Sequence, residues 1–142
     1  MNKSITKNVL IVLIIVSNLL PNNIFAQAGA LDVSFDTDGK VTTDVGAGFD
    51  DFGAAIAIQV DGKIVAAGRS GNGAADDFAV ARYNTDGSLD NTFDTDGKVT
   101  TPIGINNDQA SSIAIQTDGK IVVAGYSFNG LNYDIAVVRY NS

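Results

Sequence analysis

Leu31-Asp-Val-Ser-Phe-Asp-Thr-Asp-Gly-Lys-Val-Thr-Thr43 returns as Leu89-Asp-Asn-Thr-Phe-Asp-Thr-Asp-Gly-Lys-Val-Thr-Thr101. The copying continues outward. Ile56-Ala-Ile-Gln59 and Asp61-Gly-Lys-Ile-Val65 match Ile113-Ala-Ile-Gln116 and Asp118-Gly-Lys-Ile-Val122. With one deletion, about 33 of 54 aligned positions are identical, at a period of about 57 to 58 residues. Each copy is a supersecondary unit that cannot bury its apolar faces alone, so the duplication decides the architecture before any chemistry is considered.

Inside a copy the apolar runs are short. Ala54 to Val60, Lys63 to Arg69 and Asp77 to Asn84 carry Ile, Val, Phe and Tyr between Gly- and Asp-rich breaks, the pattern of strands. Val41 to Val45 adds a shorter run, and no sustained helical stripe follows residue 30. Asp61-Gly62 and Asp118-Gly119 sit directly between runs and predict two-residue type I′ hairpin turns. Asn72-Gly73 and Asn129-Gly130 mark the next connection, and Thr85-Asp-Gly87 through Asp94-Thr-Asp-Gly97 the third. Up-and-down joining of such strands gives one four-stranded antiparallel sheet per repeat, the form of a propeller blade. The fold class expected is all-β, with two propeller-type blades.

The ordered motifs Asp61-Gly-Lys-Ile-Val, Asp77-x-Ala-Val-x-Arg-Tyr-Asn84, Asp86-Gly-Ser-Leu-Asp90 and Gly97-Lys-Val-Thr-Thr101 resemble the delta-60 repeat of bacterial exported proteins. The resemblance covers residues 31–142 and implies a β-propeller-like fold without an assigned activity. Relatives of that kind carry many copies, whereas this chain has two. By analogy with propellers, Ala54–Val60 is innermost, Lys63–Arg69 second, Asp77–Asn84 third and Lys98–Ile103 outermost. Ser111–Thr117, Lys120–Tyr126 and Tyr133–Tyr140 repeat the first three. The second blade therefore lacks an outermost strand, while a spare copy, Lys40–Val45, leads the chain. Completion by that N-terminal strand or by a partner chain is expected. Self-association into a ring is one reading, and a two-blade remnant or fragment is the other. The domain reading is residues 1–26 leader, 27–38 lead-in, 39–103 outermost strand plus first blade, and 104–142 second blade.

Residues 1–30 stand outside the repeat. Lys3 and Lys7 precede an apolar run from Val9 to Leu20, then Pro21-Asn-Asn23 and small residues at Ala26, Ala28 and Ala30, the order of a secretory signal peptide. Cleavage is expected after Ala26, with Ala28 as the alternative. The run is too short for a span of about 20 apolar residues. The chain is expected to be secreted, extracellular or periplasmic, with no membrane association after cleavage. Without cysteine it has neither disulfides nor a lipid-attachment site. All sixteen acidic residues are Asp, and the net charge of -7 argues against nucleic acid as a partner.

The absence of His, Cys and Glu removes the usual general bases, thiol nucleophiles and zinc ligands. No enzyme, cofactor or metal site is expected. Asp36, Asp38, Asp94 and Asp96 invite a calcium reading, against which stands the plainer one that Asp and Gly serve the turn. Arg82 and Arg139, each five residues beyond Asp77 or Asp134, read as structural ion-pair or hydrogen-bond donors. The two copies diverge most in loops expected on one propeller face, carrying Phe49, Asp50, Asp51, Asn107, Asp108, Tyr126 and Phe128. Of these Asp51, Asp108, Tyr126 and Phe128 are the candidate ligand-binding residues, for a glycan or peptide held by stacking and hydrogen bonds. The plainer reading is drift in unconstrained loops. The leading functional reading is a structural or interaction scaffold; the alternative is a glycan- or peptide-binding module.

Overall fold

Seven strands form where β-branched and aromatic residues alternate between Gly- and Asp-rich breaks: β1 (Asp51–Ile58), β2 (Ile64–Gly71), β3 (Asp76–Tyr83), β4 (Lys98–Thr101), β5 (Asp108–Ile115), β6 (Ile121–Phe128) and β7 (Tyr133–Tyr140). The computed structural model describes residues 28–46 and 48–142, and all seven strands lie in the unit Leu31–Ser142. The leader read in residues 1–26 falls outside the described residues. Two antiparallel sheets result, β1-β2-β3-β4 and β5-β6-β7, each in sequence order. The fold is all-β, two propeller-type blades of four and three strands. β1 and β5 begin three residues earlier than the apolar runs suggested, because Asp51 and Asp108 already pair with Ser70 and Ser127.

Two expectations are corrected. The Asp-Gly hairpins are not two-residue type I′ turns. Gln59 and Lys63 close a three-residue loop, through Gln59 N–H to Lys63 O (2.9 Å) and Gly62 N–H to Gln59 O (2.9 Å). Gln116, Gly119 and Lys120 repeat it. Only the glycine takes positive φ, 86° at Gly62 and 84° at Gly119, whereas a type I′ turn would force Asp there too. The second correction concerns Lys40–Val45, which joins no ladder. The β3 edge beside its own blade is already taken by β4, and Tyr83 and Asp51 hold the segment against the first blade, away from the open edge of β7.

Each sheet carries a bulge at the same place, between Gly53 and Ala55 and between Ala110 and Ser112. The extra residue pushes the Phe52 and Gln109 carbonyls across toward Gly68 and Gly125, where a Cβ would land on those oxygens. Glycine is required at both positions by close backbone approach, not by φ.

The register sorts side chains onto faces. On one face of the first blade, Val65 and Ala67 of β2 pair with Arg82 and Val80 of β3, next to Phe78. This face meets the face of the second blade that carries Ala110, Ile113, Ile115, Ile121, Val123, Ala136 and Val138. Val65, Phe78, Ile121 and Val123 are wholly buried in that seam, which is the core.

Gly68→Ala is expected to lower stability by about 3 kcal/mol, the cost of forcing apart a closed backbone contact. Gly53→Ala, directly opposite with nothing within 4 Å of the added methyl, is expected to be near neutral. Paired urea melts of the two variants check the contrast.

Candidate functional site

Arg82 is buried on the seam face of β3, and its partner is Asp90 rather than Asp77. Arg82 Nε lies 2.7 Å from Asp90 Oδ2, and Lys63 Nζ lies 3.0 Å from the same oxygen. Thr92 donates to Asp90 Oδ1 through its N–H (3.1 Å) and Oγ1 (2.7 Å), and receives Arg82 Nη2 at 3.1 Å. The guanidinium also lies over the Phe93 ring, 4.9 Å from its centroid. Five residues is an odd spacing on a strand, so Asp77 points to the face opposite Arg82. Asp77 instead accepts from Asn72 Nδ2 at 2.9 Å, and Asp134 from Asn129 Nδ2 at 2.7 Å. Burial pushes the Asp90 carboxyl up, but the donors from Thr92 and Lys63 and the Arg82 charge outweigh it and hold the group well below the usual carboxylate range. A carboxylate so fully engaged is a structural pin.

The Asp-Thr-Asp-Gly segments adopt one conformation in both copies. Asp36 and Thr37, like Asp94 and Thr95, take positive φ, and Gly39 and Gly97 donate to Phe35 O and Phe93 O at 2.7 Å. Asp38 and Asp96 accept from the N–H of Lys40 and Lys98, each at 3.0 Å. These are turn contacts. Among the described residues no group of three or more acidic side chains is arranged to hold a metal.

The candidate ligand-binding residues divide between two faces. Asp51 Oδ2 accepts from Val45 N–H at 2.8 Å, and Asp108 Oδ2 from Ile103 N–H at 2.7 Å and Gly104 N–H at 3.2 Å. Both clamp the segment that leads into the first strand of a blade, and Asp108 is wholly buried. Tyr126 and Phe128 flank Ser127, the partner of Asp108, and so lie on the other face of the second blade. There they gather around Tyr133, with ring centroids 5.1 and 5.0 Å apart. Tyr126 donates its hydroxyl to Gln109 Oε1 at 2.7 Å. Tyr133, at the end of the divergent segment that begins at Phe128, was not among the candidate residues; the signal was its exchange for Asp76 of the first copy. The loop face itself carries a groove between Phe49, Gly73, Asp76 and Asn107, bridged by Asp76 N–H to Asn107 Oδ1 at 3.0 Å.

A larger surface was not singled out from the sequence. Phe78 and Val80 are 0% and 1% exposed in the seam, whereas their counterparts Ile135 and Val137 are 89% and 60% exposed. On the first blade Ile56 and Ile58 are 66% and 65% exposed, while their counterparts Ile113 and Ile115 pack on the core. Each blade thus turns one apolar face into the seam and one outward. The signal available was the identity of the repeats themselves: equal residues on two blades imply equal faces, of which a pair of blades covers only half.

Asp90→Asn is expected to cost about 3 kcal/mol by leaving Arg82 buried without its countercharge. The Asp90 pKa is lowered on folding, so its contribution is full above the unfolded value of 3.8 and is lost as pH falls through the folded value. Melting temperature should therefore fall more steeply from pH 5 toward pH 2 in the wild type than in the variant.

No curated protein matches the chain. Residues 59–93 and 116–142 match a family described as Domain of unknown function (DUF5122) beta-propeller. Both segments begin at the equivalent glutamine, Gln59 and Gln116, and run through β2 and β3 and through β6 and β7. With the two repeated sheets, the match supports a β-propeller repeat family and brings no activity with it.

Proposed function

We propose that this chain is an exported, non-catalytic scaffold of the delta-60 repeat kind, whose blades act by stacking against further blades. One observation carries the reading: Ile56 and Ile58 at one end of the blade pair, and Ile135 and Val137 at the other, repeat side chains that the seam buries. Contiguous apolar faces of this type mark interaction surfaces. Covering each of these side chains is worth about 1.5–3 kcal/mol. The leader order in residues 1–26 supports export, and the absence of His, Cys and Glu supports a role without catalysis.

A second reading rests on the Tyr126, Phe128 and Tyr133 cluster, whose rings and nearby Gln109 suit stacking and hydrogen bonding to a glycan or an extended peptide. The two readings separate by experiment.

Sedimentation of the full chain, exported with its own leader, is expected to give assemblies larger than a monomer. Ile56→Asp with Ile58→Asp should shift them to monomer while the melting transition is kept, since both side chains are exposed. A wild-type monomer at all concentrations overturns the scaffold reading. On a glycan and peptide array the chain is expected to be silent. Binding that Tyr126→Ala or Phe128→Ala abolishes would instead establish recognition.

A further inference from the structure

We infer that the partner of the second blade is another copy of this chain, docked head to tail, with its Lys40–Thr43 added to β7 as a fourth strand. The inference rests on the scaffold reading and names its partner and register. Three observations carry it.

The first is the ladder. β4 pairs with β3 as Phe78↔Thr101, Ala79↔Thr100, Val80↔Val99 and Ala81↔Lys98. Lys40-Val-Thr-Thr43 is the same tetrapeptide as β4, and Ile135-Ala-Val-Val138 of β7 stands where Phe78-Ala-Val-Ala81 stands in β3. Transfer of the register gives Ile135↔Thr43, Ala136↔Thr42, Val137↔Val41 and Val138↔Lys40. Among the described residues β7 pairs only with β6, so its other edge carries unpaired N–H and C=O groups.

The second is that the segment is already held for this use. Tyr83 donates its hydroxyl to Thr43 Oγ1 at 2.8 Å, as Tyr140 and Thr101 share a hydroxyl hydrogen bond of 2.8 Å. Asp51 holds Val45 N–H as Asp108 holds Ile103 N–H. Lys40–Val45 thus stands to the first blade as β4 stands to the second, and ordering it costs little on association. The same contacts keep it from reaching β7 of its own chain. Tyr83 and Asp51 lie on the outward face of the first blade, away from the seam. Two packed-sheet spacings, about 20 Å, separate that position from the vacant edge.

The third is charge. Asp32 repeats Asp90: its Oδ1 accepts from Ser34 N–H at 2.9 Å and from Ser34 Oγ at 2.6 Å, as Asp90 Oδ1 accepts from Thr92. The basic half of that cluster, Arg82 and Lys63, recurs at the opposite end as Arg139 and Lys120. Among the described residues neither Asp32 nor Arg139 forms a salt bridge, whereas Arg82 and Asp90 do. Docking unites the halves, Asp32 with Arg139, beside a strand that brings Ile56 and Ile58 onto Ile135 and Val137. The contact joins two different patches, so repetition gives a ring where the rotation closes.

The chain has no cysteine, which makes the register directly readable. Val41→Cys and Val137→Cys chains, mixed and oxidised, are expected to form a disulfide about tenfold more than Thr42→Cys mixed with Val137→Cys, whose side chains point to opposite faces. Arg139→Asp added to the Val137→Cys chain should suppress the cross-link, and Asp32→Arg added to the Val41→Cys chain should restore it. Larger assemblies with no preference for the in-register pair overturn the inference but leave the scaffold reading standing. A monomer without cross-links overturns both. Cross-linking that ignores the charge reversals overturns the assigned ion pair and, with it, the head-to-tail register.

Discussion

Everything in this protein depends on the seam between two sheets that are apolar on both sides. A sheet with one apolar face needs one neighbour, and two such sheets complete each other as a sandwich. Here Val65, Ala67, Phe78 and Val80 of the first blade press on Ile121, Val123 and Ala136 of the second. The opposite faces of both sheets repeat the same residue types. Burial between the blades is therefore open-ended, because the contact that stabilises the pair regenerates its own two surfaces at the ends. The blade pair thus leaves one apolar face uncovered at each end, Ile56 and Ile58 on one side and Ile135 and Val137 on the other.

The polar groups follow the same logic. Arg82 and Asp90 form a buried pair at the outer margin of the first blade, which the more exposed Thr92 and Lys63 complete from its rim. Its strength comes from low local dielectric combined with complete pairing, and either half alone would be a liability there. The exposed Asp32 and Ser34 pair retains half of that geometry, with the serine donors lowering the carboxyl pKa. Asp51 and Asp108 do related work at the opposite strand ends, fixing the entering chain by accepting backbone N–H groups. Repeated polar residues in this chain hold strands in register, and their uniformity across copies is the mark of that task.

The unrepeated residues are fewer and cluster differently. Tyr126, Phe128 and Tyr133 replace Arg69, Gly71 and Asp76 of the first copy, so this corner is aromatic on the outward face of the second blade and charged on the seam face of the first. In the first blade Arg69 pairs with Asp76 at 3.0 Å and lies over Phe52. One copy thus closes its corner with an ion pair and the other with stacked rings. The two corners sit at equivalent β2–β3 and β6–β7 loop ends but meet different surroundings, since Arg69 Nη1 reaches Gln109 Oε1 of the second blade at 3.4 Å while the rings face outward.

Repetition, strand periodicity and Asp-Gly punctuation were sufficient from the sequence for the all-β class, the four-strand unit, the order of strands and the three strands of the second sheet. These are local properties, since alternation and turn chemistry act over a few residues. Tertiary structure decided the rest. Arg82 took Asp90 over Asp77 because strand parity and the return of the chain after β3 set which carboxylate reaches it. Gly68 and Gly125 proved to be glycines facing a bulge, because a carbonyl of the neighbouring bulged strand crosses over them. Asp108 turned inward and Tyr126 outward because the seam chose one face of the second sheet. Lys40–Val45, alike in sequence to a strand, is not one, because a strand exists only where another edge meets it.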